Sequence, residues 1–63
     1  MGGLKIIGYT IMGSSDHLIV DFNTNTVIRK TLDGEELWQE IFYTPKQLQE
    51  WLEDHEKAGL IYG

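Results

Sequence analysis

The sequence predicts an α+β fold: an antiparallel β-meander of three to four strands, with one C-terminal α-helix packed on one face. Three observations point there. The first two-thirds of the chain is a series of short runs rich in Ile, Val, Thr, Tyr and Phe, separated by Gly, Asn, Asp and Ser. The last third instead repeats its apolar residues at helical spacing. Thr44-Pro45 marks the change from one period to the other. A helix laid on one face of an antiparallel sheet is a standard way to bury both.

The first strand is expected at about residues 4–12. It is apolar on both faces, with Ile6 and Met12 on one and Ile7, Tyr9 and Ile11 on the other, and it ends at the turn cluster Gly13-Ser14-Ser15-Asp16. The second, at about 17–22, alternates and puts Leu18, Val20 and Phe22 on one face. Asn23-Thr24-Asn25 reads as a three-residue loop, with Asn25 suited to a left-handed conformation. The third and fourth strands, at about 27–32 and 37–43, join around Asp33-Gly34.

Two registers compete in that hairpin. A two-residue loop sets Lys30 against Leu37 and Thr26 against Ile41. A four-residue loop sets Leu32 against Leu37, Ile28 against Ile41 and Arg29 against Glu40. The second matches apolar with apolar and opposite charges with each other, so it is the expected one. The core face then reads Leu18, Val20, Phe22, Ile28, Leu32, Leu37 and Ile41. The other face carries Val27, Arg29, Thr31, Trp38, Glu40 and Phe42.

The helix is expected at residues 45–58. Thr44 caps it, Pro45 fits its first position, Gln47 completes a capping box, and Tyr43 with Leu48 forms a hydrophobic staple. Leu48, Trp51, Leu52 and His55 form its buried face. Glu50, Glu53, Asp54 and Lys57 lie outside, with Glu53 and Lys57 a favourable pair four residues apart. Gly59 stops the helix.

With 63 residues, the chain is one small domain, residues 1–63. Burial of apolar surface contributes ~95 kcal/mol, and ordering the chain costs about as much. Such domains add a crosslink, a metal or a partner subunit. The chain has no cysteine, so disulfides and thiolate zinc sites are excluded and a second copy is the expected support. Lack of cysteine, and of a charged stretch leading into a long apolar run at the N-terminus, suggests a cytoplasmic protein. No apolar run reaches the ~20 residues of a membrane span.

Net charge is −5 and unevenly placed. Residues 1–32 set Lys5, Arg29 and Lys30 against Asp16 and Asp21. Residues 33–63 set two lysines against eight carboxylates, among them Glu35, Glu36, Glu50, Glu53 and Asp54. Such a surface repels phosphates, so direct nucleic-acid or membrane binding is not expected, and a basic protein partner suits it better.

No motif specifies a chemistry. Ser14, Ser15, Asp16 and His17 are four consecutive residues and cannot adopt the hydrogen-bonded chain of a catalytic triad. His17 and His55 lack metal-ligand spacing, and Gly2-Gly3 and Gly8 form no phosphate loop. The expectation is therefore a non-enzymatic protein with no cofactor or metal. It is a homodimeric interaction module that binds and modulates another protein. Its expected contact face is Val27, Arg29, Trp38, Glu40 and Phe42, because a single helix covers only one side of the sheet. The alternative is an acidic nucleic-acid mimic of phage or mobile-element type, which would block a DNA-binding enzyme with Glu35, Glu36, Glu50, Glu53 and Asp54.

Overall fold

In a computed structural model, which describes residues 6–63, the chain forms an antiparallel sheet with one helix across it. The strands are β1 (Ile6–Ile11), β2 (His17–Asp21), β3 (Thr26–Lys30), β4 (Glu36–Ile41) and β5 (Ile61–Tyr62), and the helix α1 is Pro45–Lys57. Strand order is β4-β3-β2-β1-β5. The first four strands are a meander of hairpins, and β5 pairs with β1 at the opposite edge from β4. The fold class is the expected one, but the sheet has five strands among the described residues rather than three or four. The expected start of the first strand, residues 4 and 5, lies outside them.

The helix explains the fifth strand. Thirteen residues rise about 20 Å. From β4 to β5 is four inter-strand steps, about 19 Å. A helix laid across the strands therefore carries the chain from one edge of the sheet to the other. Gly59 reverses it there, at φ 75°, where an L-residue is strained. Gly59 N–H donates to the Glu56 carbonyl (3.0 Å) and Leu60 N–H to the His55 carbonyl (2.9 Å). This pair of bonds is a Schellman motif. At the other end Gln47 N–H donates to Thr44 Oγ1 (3.2 Å), and Gln47 Oε1 accepts from Tyr43 N–H (3.1 Å). The expected staple does not form. Tyr43 is 91% exposed while Leu48 is fully buried.

Both hairpin registers differ from expectation. Val20 opposes Val27, not Ile28, because the β2–β3 loop holds four residues, 22–25, and Asn25 turns it at φ 54°. This slip of one residue exchanges the faces of β3. In the next hairpin Ile41 opposes Thr26, Gln39 opposes Ile28 and Trp38 opposes Arg29. Thr31 closes a short loop by accepting from Gly34 N–H through its carbonyl (2.9 Å) and from Glu35 N–H through Oγ1 (3.0 Å). Lys30 then opposes Glu36, and a bulge absorbs Leu37 before Trp38 meets Arg29.

The consequence is an exchange of sides. The core is Leu18, Val20, Val27, Leu48, Leu52 and Ile61, with Tyr9, Ile11, Phe22, Phe42 and Trp51 packed against it. Helix α1 covers the face that carries Val27, Arg29, Trp38, Glu40 and Phe42, the face expected to be open. Ile28, Leu32, Leu37 and Ile41, expected in the core, are not buried, and Leu32 and Ile41 are 78% and 65% exposed. Ile6, Ile19, Ile28 and Ile41 instead share the side of the sheet away from the helix.

Candidate functional site

β4 is exposed at all six of its residues. It is the edge strand farthest from the end of α1, so its side chains on the helix face are covered only in part. Val27 and Phe42, two of the five expected contact residues, go to the interior. Val27 has no exposed surface, and Phe42 packs on Trp51 with ring centroids 6.0 Å apart. Glu40 is exposed, and Trp38 keeps 40% of its surface in solvent.

Trp38 and Arg29 share a cleft beside the C-terminal half of α1. The sheet supplies its floor, with Leu18 from β2, Ile11 from β1 and Ile61 from β5. Met12 and Leu60 close the far end. Trp51 and His55 form the helix wall, stacked with ring centroids 3.8 Å apart. The cleft encloses about 220 Å³. That is below the ~300 Å³ at which small-molecule pockets usually begin.

Two polar groups in the wall have fixed orientations. Arg29 Nε donates to Asp16 Oδ2 at 3.0 Å, and Nη2 lies 2.9 Å from the same oxygen as an ion pair. This is the ion pair among the described residues, and it replaces the expected pairing of Arg29 with Glu40. Because Asp16 takes one edge of the guanidinium with one oxygen, other N–H donors remain on Arg29. His55 Nδ1 lies 2.8 Å from the Trp51 carbonyl. A carbonyl only accepts, so Nδ1 carries a proton and donates it to that oxygen. Tyr9, on the same face of the sheet, has its hydroxyl pKa raised, first by burial and then by the charge of Glu56.

The remaining candidates do not converge on this cleft. By register, His17 belongs to the face away from the helix, so the two histidines lie on opposite sides of the sheet. Ser14 Oγ accepts from Asp16 N–H (3.0 Å), which is turn chemistry. The Asp16 carboxylate serves Arg29, not His17. Glu50, Glu53 and Asp54 are exposed on the outer face of α1, and Glu35 and Glu36 are exposed at the β3–β4 turn. The expected ion pair of Glu53 with Lys57 is not formed.

Asp16, Trp51 and His55 were not among the expected site residues. Spacing of four places Trp51 and His55 on one helix face. Their meeting with Arg29 and Trp38 depends on the register. Compared with models of protein families, curated proteins and solved structures, the chain matches none.

Proposed function

We propose that this chain is a homodimeric, non-enzymatic interaction module that binds and modulates another protein. One observation carries the reading: a cleft the size of one side chain, lined by Trp38 and Arg29, opens beside the helix. Such a cleft reads one anchor side chain of a partner. Trp and Arg are the residue types most enriched where interfaces hold their binding energy. The partner is an extended segment that offers one aromatic or large aliphatic residue to the cleft. Basic residues flanking it suit the net charge of −5. A cytoplasmic home goes with the reading, supported by a chain without cysteine. No helix among the described residues is long and apolar enough to cross a membrane.

The test is selection of random peptides on the immobilised protein. The expected winners carry one bulky apolar residue and lose binding to Trp38→Ala. Winners that bind Trp38→Ala equally well sink the reading. Basic winners that instead depend on Glu50, Glu53 and Asp54, and whose affinity collapses with salt, favour nucleic-acid mimicry.

A further inference from the structure

The dimeric part of that reading can be given a surface and a register. We infer that two copies join by antiparallel pairing of their β4 strands about a two-fold axis at Gln39, extending each sheet through the other. Phe42 N–H donates to the Asn25 carbonyl (2.8 Å), so the backbone groups of Phe42 face β3. Backbone direction alternates along a strand. Glu40 and Trp38 therefore also face β3, and the N–H and C=O groups of Gln39 and Ile41 face the free edge. An exposed edge with such a row of unpaired groups is a template for another strand.

Charge selects the second copy's register. A two-fold axis perpendicular to the sheet requires residues from the same face to oppose each other. Centring the pair on Glu40 sets two carboxylates face to face. Centring it on Trp38 sets Glu40 against Glu36 of the other copy. Centring it on Ile41 carries the ladder past the end of β4 into residues 42 and 43. Centring it on Gln39 keeps the ladder within β4, with Ile41 opposite Leu37. Gln39 then opposes itself and Trp38 opposes Glu40 twice, with no like charges opposed. The two glutamates thus act against the neighbouring registers. Both α1 helices fall on the same side of the joined sheet, and each cleft borders the junction.

The test is light scattering across a dilution series, on the intact chain and on variants at Gln39. The intact chain should show twice 7.3 kDa. Gln39→Glu and Gln39→Lys should each weaken the dimer, because each opposes its own charge. An equimolar mixture of the two should recover a heterodimer. Gln39→Pro removes an N–H that the monomer does not use, and should yield a monomer with an unchanged circular dichroism spectrum. A monomeric intact chain, or a dimer indifferent to all three changes, overturns the pairing. Either result leaves the cleft reading to stand or fall on peptide selection. Because Trp38 opposes Glu40 at the junction, the mass of Trp38→Ala is measured alongside; loss of peptide binding in a variant that stays dimeric counts against the cleft reading's alternatives and not against the axis at Gln39.

Discussion

Trp38 stands directly opposite Arg29 across the β3–β4 ladder, on the side of the sheet that α1 covers. The bulge at Leu37 places it there. Up to Lys30 and Glu36 the hairpin runs in one phase, and beyond the bulge it runs in the other. Without that extra residue, Leu37 and Gln39 would face the helix and the indole would face away from it.

Replacing Trp38 with Ala should separate binding from folding. The indole is 40% exposed, so truncation removes a partly buried side chain and should cost about 2–3 kcal/mol. A urea titration should show a lower midpoint with the cooperative transition retained, while affinity for a selected peptide is lost.

Asp16→Asn should loosen the cleft. It removes the charge that holds Arg29 Nε and Nη2. Both side chains are part-exposed, so the expected loss is about 1 kcal/mol, and added salt should narrow the gap between variant and parent. Denaturation at two ionic strengths checks it.

Leu48→Ala should abolish folding of the monomer. Leu48 is fully buried between helix and sheet, and truncation at such a site costs about 2–5 kcal/mol. In a domain this small that equals most of the total stability. Loss of the cooperative thermal transition is the expected outcome.

Gly59→Ala should cost about 1–2 kcal/mol with no steric clash. Nothing lies within 4 Å of an added Cβ, so the penalty comes from φ 75° alone. Thermal melting should drop by several degrees while the sheet's circular dichroism is retained.

Tyr9 should make stability fall at alkaline pH. Its hydroxyl pKa is raised in the folded chain, by burial and then by Glu56. The unfolded chain loses that proton first, near the ordinary tyrosine value of 10.0, so the contribution is complete below that pH and is lost above it. Tyr9→Phe should flatten the alkaline arm of a stability-against-pH curve.

The helix was legible in detail from residues 44–59, because its cap, its apolar face and its glycine stop are local signals read within a few residues of one another. Its termini are close to expectation, with Pro45 first and Lys57 last. The four long strands were legible as elements for the same reason, since β-branched runs and turn residues alternate along the chain. The expected staple failed because nothing in the spacing of Tyr43 and Leu48 says which way an exposed tyrosine turns.

The site was legible only as residue types. Trp38, Arg29 and Glu40 stood out by chemistry, but the cleft and its occupants required the faces to be assigned. Pairing Ile28 with Ile41 and Arg29 with Glu40 looked favourable side chain by side chain. The chain instead follows backbone geometry at two turns: a left-handed Asn25 and a loop closed by Thr31, with its bulge at Leu37.

Local signals suffice for the α+β class, the helix and its caps, and the acidic surface, because each follows from interactions between residues close along the chain. The tertiary structure decided the fifth strand, the face that α1 covers, and the meeting of Asp16, Arg29, Trp38, Trp51 and His55. Strand side chains have a period of two, so a slip of one residue at either turn exchanges inside for outside along the whole strand. Which register wins is set by the backbone conformation of the turn and by helix packing across all the strands at once, and neither is encoded in any one pair of opposed residues.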